Sequence, residues 1–205
     1  MPRPKSNIDK RILAAAKGLF LRSGVDSTSL RQIAQDAGTN IGMVYYYFPS
    51  KDEIFFALVD DVYGRLLADL ERGLSLAGVE GTPTIENRLR QLFLRLGAVT
   101  NDEVDVIHLV LREALSSTER RQRLIERFMK GHIPLVFKHL LQGQAAGELR
   151  TTLHPMVLLF STFALAGPPQ IMRRRATMPV ALVPEGSGLS EQLLEVLLHG
   201  ISKNH

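Results

Sequence analysis

The 205-residue chain has no cysteine and no tryptophan, and only 6% of it is aromatic. Without cysteine there can be no disulfide, which argues against a small secreted scaffold held by such staples and suits a cytoplasmic protein. Alternating β-rich runs bounded by turns are missing as well, which excludes sheet architectures and leaves an all-α fold. The opening residues, MPRPKSNIDK, are polar and charged with no apolar stretch behind them, so no signal peptide is read there. The longest apolar run, 155–169, offers about 13 helical residues, roughly 20 Å, against the roughly 30 Å of a bilayer core. A soluble protein without a membrane partner is expected. Internal repeats and low-complexity tracts are not found. Nor is there a Ser-His-Asp elbow, a glycine-rich phosphate loop or a pair of carboxylates at a strand end, so the chain reads as no enzyme and no cofactor is implied. A zinc site is also a poor fit. His132 and His139 stand two helical turns apart, about 10 Å along the axis, whereas ligands of one zinc lie within about 4 Å.

What is present is charge, unevenly spread. Residues 1–51 hold eight Lys/Arg against three Asp/Glu, and the remainder holds 17 against 18. The whole basic excess sits in the first quarter of the chain, as phosphate contact requires. In that quarter, 29–48 reads SLRQIAQDAGTNIGMVYYYF. Leu30, Ile33, Ala34 and Ala37 fall at helical spacing, Gly38 can take positive φ at the helix end, and Asn40 can cap a second helix. Val44 and Tyr47 share one face of that second helix, and the small Ala34 lets it cross closely over the first. This is the helix-turn-helix pattern, whose second helix enters the DNA major groove.

A first helix precedes the pair, beginning near Ser6–Asn7, with Ile8, Ile12, Ala15, Leu19 and Phe20 on its apolar face and Gly24 as its stop. Ser27 and Thr28 read as caps of the second helix. Ser50 and Glu53 form a capping box for a fourth helix carrying Ile54, Leu58, Val62, Leu66 and Leu70. After the turn-rich 78–83, helices are expected at about 84–98, 102–115, 119–146, 155–167 and 189–202. Ser116 to Glu119 repeats the capping-box pattern. Pro134 is expected to kink or split the longest of these helices, and Pro155 suits a first turn. With four prolines between Gly167 and Gly188, a long irregular connection is expected there. The expected domains are a three-helix DNA-binding domain over 6–51, reaching about 66 with the start of the fourth helix, and a helical ligand-binding and dimerisation domain over 52–205.

The chain resembles the tetracycline-repressor (TetR) family of bacterial transcriptional regulators over about residues 8–58. The resemblance is carried by Ile12-Leu13-Ala14-Ala15, Leu19-Phe20, Gly24, Thr28, Ile33-Ala34, Ala37-Gly38, Gly42, Tyr45, Tyr47-Phe48 and Ser50-Lys51. Thr39 departs from the usual small aliphatic residue and Asn40 from the usual Ser or Thr, though Asn caps well. The resemblance implies a homodimeric repressor on a pseudo-palindromic operator, released by a small-molecule effector. It also implies that the last two helices build the dimer and that the C-terminal half encloses the effector. By the same token Tyr45 and Tyr47 take the family's backbone-contacting aromatic positions, and Lys51 its phosphate-binding lysine.

From the residues themselves, Lys51 falls at a helix N-terminus, which also favours an anion. Thr39, Asn40, Met43 and Tyr46 lie on the part of the second helix that should face bases. Asn pairs with adenine, while Met, Tyr and the Thr methyl can touch the thymine methyl. Arg31 is a candidate for guanine and equally a solvated charge. Thr28 is read as a cap that also reaches a phosphate, and Tyr47 either contacts DNA or packs inward. The Arg3–Lys5 arm is either a tail without a role or a minor-groove contact. In the second half, His108, Phe128, Met129, His132, Phe137 and Phe163 are candidates for an effector pocket, though the histidines read first as core or interface residues. Met156, Leu159, Phe160, Phe163, Leu193, Val196, Leu197 and Ile201 are candidates for a dimer interface. The competing function is a helical binding module whose helix-turn-helix is vestigial; the basic first quarter with its tyrosines and Lys51 favours the regulator.

Overall fold

A computed structural model describes residues 7–76, 84–175 and 187–201 of the chain. Among these residues are eleven α-helices and no strand: α1 Ile8–Ser23, α2 Leu30–Asp36, α3 Ile41–Tyr47, α4 Lys51–Leu76, α5 Ile85–Gly97, α6 Asn101–Ser116, α7 Thr118–Lys130, α8 His132–Ala145, α9 Pro155–Ala166, α10 Pro168–Arg175 and α11 Gly188–Ile201. Two compact units divide the chain, residues 1–64 with 105–125, and residues 65–104 with 126–205. Helices α4, α6 and α7 each contribute to both units.

In the first unit Ile12, Ala16 and Phe20 recur every fourth residue of α1 and are fully buried, so one stripe of that helix supplies core. Gly24 ends α1 at φ +88°, its N–H donating to the Phe20 carbonyl at 2.8 Å. The second unit packs α5 against α8, α9 and α11, and α9 against α8, α10 and α11. Leu89, Leu92, Phe93, Leu140, Leu158, Leu194 and Leu197 lie in its core. Its α5 and α8 approach closely at Gly143, where a Cβ would come within 2.9 Å of the Ile85 side chain.

Several boundaries differ from those read in the sequence. The cap of α2 is Ser29, not Ser27 or Thr28; its hydroxyl accepts from the Gln32 N–H while the Gln32 side chain accepts from the Ser29 N–H, a complete capping box. For α7 the cap is Ser117, one residue later than expected, accepting from the Arg120 N–H at 3.2 Å. The long helix expected over 119–146 is split at Gly131 (φ −123°, ψ −112°), and Pro134 sits unstrained in the first turn of α8, where its missing N–H costs nothing. Two further prolines, Pro168 and Pro169, open α10 for the same reason, so the expected irregular connection begins with a helix that carries Arg173, Arg174 and Arg175; residues 176–186 lie outside the described ones. By length and composition alone, Pro155–Arg174 is apolar enough to cross a membrane. It is nevertheless two helices of 12 and 8 residues meeting at Gly167, and Leu158, Leu159, Thr162 and Ala166 of the first are buried within the chain.

Candidate nucleic-acid interface

The helix-turn-helix is α2 and α3. Its turn is closed by main-chain hydrogen bonds, Ala37 N–H to Ile33 O at 2.9 Å, Gly38 N–H to Gln35 O at 3.0 Å and Thr39 N–H to Ala34 O at 2.9 Å. Gly38 takes φ +61°, the left-handed conformation that L side chains avoid. From α1, the Arg11 guanidinium donates to the carbonyls of Ala37 and Gly38, the latter at 2.6 Å. A cation placed on the carbonyls just past the end of α2 satisfies them and suits the negative end of the helix dipole.

Asn40 caps α3, its side-chain oxygen accepting from the Met43 N–H at 2.9 Å, which leaves its NH2 donors for an outside acceptor. Val44 is fully buried and fixes the inward face of α3. With that face set, Tyr45 (57% exposed) and Tyr46 (78%) must face solvent. Met43, Tyr47 and Thr39 are half-buried, Asn40 and Arg31 exposed, and Tyr47 meets the edge of Tyr46 with ring centroids 5.1 Å apart. Two aromatic rings standing in water on a seven-residue helix gain nothing from folding. They suit an external partner.

Beside α3 lies an open cleft of about 700 Å³, lined by Ser27, Thr28, Arg31, Tyr45, Ser50 and Lys51 among others. Lys51 begins α4 and its Nζ donates to the Asp26 carbonyl at 2.8 Å, using one of three ammonium donors and leaving the charge at the cleft. Thr28 is only 3% exposed, and its hydroxyl donates to the Gly24 carbonyl at 2.7 Å. It pins the loop after α1 and neither caps α2 nor offers a free hydroxyl proton to a phosphate. Asp26 also lines this cleft, and hydrogen bonds from Arg120 hold its carboxyl below the usual carboxylate range.

Sequence reasoning missed three arginines that organise the first unit. Arg11 caps the α2 turn as described, Arg112 donates to the Phe20 and Leu21 carbonyls at the end of α1, and Arg120 is buried among carboxylates. A charged residue four positions before the buried Leu124, on an inward stripe of α7, is the signal that was there to find.

In the second unit, His132 lies between Phe128 and Phe163, ring centroids 5.1 Å from each in edge-to-face arrangement. Burial pushes its imidazole down to about 4, so it is neutral at ordinary pH. Phe137 is partly buried on the same core. His108 and Met129, expected with this group, are exposed. Along α6 the buried residues include Val104, Val106, Leu109 and Glu113, while Leu111 and Leu115 face water. Of the residues expected at a dimer interface, Leu159 and Leu197 are core residues of the chain, at 2% and 3% exposure. Phe163 and Leu193 are partly buried against that core. Met156, Phe160 and Val196 are exposed, and the Ile201 side chain lies outside the described residues.

Residues 12–58 match the family model of bacterial regulatory proteins, tetR family. The uncharacterized HTH-type transcriptional regulator YfiR of Bacillus subtilis is 31% identical over 146 residues, 68% of this chain and 70% of that protein. The chain belongs to the TetR family. A fatty acid metabolism regulator protein of B. subtilis, similar at 25% identity over 197 residues, aligns over 93% of this chain and 94% of its own length. In fold, the TetR-family chain is like the regulator FadR of B. subtilis, solved in complex with stearoyl-CoA, with a TM-score of 0.74 at 22% identity over 93% of this chain and 98% of that one. It is a DNA-binding transcription regulator, with an N-terminal helix-turn-helix domain and a C-terminal helical domain.

Proposed function

We propose that this regulator is a homodimeric repressor, held on a palindromic operator by two copies of α3 and released by a small-molecule effector. The observation that carries the DNA-binding half is the pairing of Tyr45, exposed on α3, with Lys51 at the N-terminus of α4 in one cleft, Tyr46 being exposed on the same helix. Lys51, Tyr45 and Tyr47 hold the backbone and fix register, Arg31 of α2 reaches a guanine edge, and Thr28 shapes the loop beneath. Asn40, Thr39, Met43 and Tyr46 read base edges, having the donors and methyl-complementary surfaces that adenine and thymine call for. As a repressor of this kind it would act on the nucleoid, in the bacterial cytoplasm.

For the effector, the apolar packing of His132 between Phe128 and Phe163, with Phe137 partly buried on the same core, supports a mostly apolar ligand. A relative that regulates fatty acid metabolism and a fold neighbour holding stearoyl-CoA make long-chain acyl-CoA the first candidate. The test is a gel shift on the DNA upstream of the gene itself, repeated across salt concentrations and then with stearoyl-CoA added. A salt-sensitive complex that acyl-CoA dissolves is the expected result. No complex with any neighbouring intergenic DNA at low salt would favour the vestigial module instead.

A further inference from the structure

Arg120 is the most heavily committed charge in the first unit. Its side chain is only 7% exposed, yet three carboxylates converge on it from three separate segments. Its Nε donates to Asp52 at 2.8 Å in the first turn of α4, and its Nη1 to Glu113 of α6 at 2.5 Å. Both terminal nitrogens donate to the Asp26 carboxylate, Nη1 at 3.3 Å. This bidentate fork uses the planar guanidinium geometry that a lysine does not have. Glu113 in turn accepts from the Val25 N–H at 3.4 Å, so the loop after α1 is gripped at two successive residues.

What makes this more than a structural ion cluster is the position of Asp26. Its side chain is held by Arg120 while its main-chain carbonyl accepts from the Lys51 ammonium at 2.8 Å. One residue thus links the buried guanidinium to the cation at the cleft. Asp52, the next residue after Lys51, is bound to the same guanidinium, so the segment bearing Lys51 is anchored from both sides.

We infer that Arg120 is a positioning residue for DNA backbone contact: through Asp26 and Asp52 it fixes where Lys51 presents its charge. Arg120 touches no nucleic acid itself. The inference rests on the proposed phosphate contact of Lys51.

The test is a double-mutant cycle of Arg120→Lys with Lys51→Ala, which separates coupling from general destabilisation. The probe is a duplex of about 30 base pairs of arbitrary sequence at about 50 mM salt, where backbone contact dominates binding. Arg120→Lys keeps the charge and removes the fork. We expect it to weaken binding about tenfold in the otherwise native chain and by less than about twofold where Lys51 is already alanine. The salt slope should fall by about one ion per subunit for either single variant, with no further fall in the double. A role confined to folding would weaken both backgrounds by the same factor, and that equality, or native affinity of Arg120→Lys, overturns the inference. If Arg120→Lys does not fold, Glu113→Gln takes its place in the cycle, with a loss of about threefold expected only when Lys51 is present. A native chain that binds no duplex at low salt sinks the DNA-binding reading and this inference together. Binding that Lys51→Ala weakens, but independently of residue 120, sinks the inference alone.

Discussion

Tyr46 and Lys51 differ in what their loss should do, although both belong to the same face. Tyr46 is the most exposed aromatic of α3 and belongs to the base-reading group, whereas Lys51 stands at a helix end where an anion is favoured whatever the sequence. Tyr46→Ala should therefore change which sites are recovered by selection from random DNA, relaxing a preference by about 1–3 kcal/mol at one base pair. Recovery of the native site without change would move the reading face elsewhere. A different test applies to His132, whose imidazole is pushed by burial from the ordinary value of 6.5 down to about 4. Because the folded value is the lower one, folding favours the neutral ring. Its contribution is whole above about pH 6.5 and is lost as pH falls towards 4, where the unfolded chain binds a proton that the folded chain refuses. Replacing His132 by Phe should shrink the stability lost between pH 7 and pH 5 by roughly 2 kcal/mol. Denaturant titrations at those two values, giving the same loss for both proteins, would show that His132 does not titrate this way.

At the scale of the elements, the α2–α3 turn offers a sharp comparison. Gly38 sits at φ +61°, and a Cβ there would come within 2.8 Å of the Arg11 guanidinium that closes the turn. Gly38→Ala should cost about 1–2 kcal/mol in left-handed strain. Gly64, by contrast, lies within α4 with nothing within 4 Å of a built Cβ, so Gly64→Ala should stabilise by about 0.5–1 kcal/mol. Thermal melts of the two variants shifting in the same direction would contradict the comparison. The turn was legible in the sequence because its signals are local: a glycine after an apolar stripe, then an Asn three residues before Met43. The same holds for Gly24 and for Lys51 at the start of α4. What was not legible depends on the rest of the chain. In α6 two overlapping stripes each look apolar, and only packing decides that Leu109 and not Leu115 turns inward. Gly131 and Pro134 lie three residues apart, and a proline that can break a helix sits equally well in its first turn, so the break was placed on the wrong one of the pair. Arg120, Asp26, Asp52 and Glu113 are spread over nearly a hundred residues, and no local pattern joins them.

For the whole molecule the decisive surface is the outer side of α9 and α11, which pack on each other in the second unit. Phe160 is 64% exposed and Val196 62%, with Val157 and Met156 beside Phe160 on α9. An apolar face of this kind on paired helices calls for a cover, and the same pair from a second copy would supply it as a four-helix bundle. Recognition of DNA points the same way, since two copies of α3 must stand about 34–36 Å apart to enter successive major grooves, and one module alone buries too little surface for a tight specific site. Position now decides which substitution is informative. Leu197 is a core residue, so a glutamate there would bury an unpaired charge and unfold the second unit, reporting nothing about assembly. Phe160→Glu places the same charge on an exposed ring position and should leave the fold and its melting temperature nearly unchanged. The variant should sediment as a monomer at micromolar concentration and lose specific operator binding, while keeping the weak, salt-sensitive affinity for arbitrary duplex that one helix-turn-helix provides. A native protein that is itself monomeric under those conditions, or a Phe160→Glu variant that stays dimeric, would place the partner surface somewhere other than on α9.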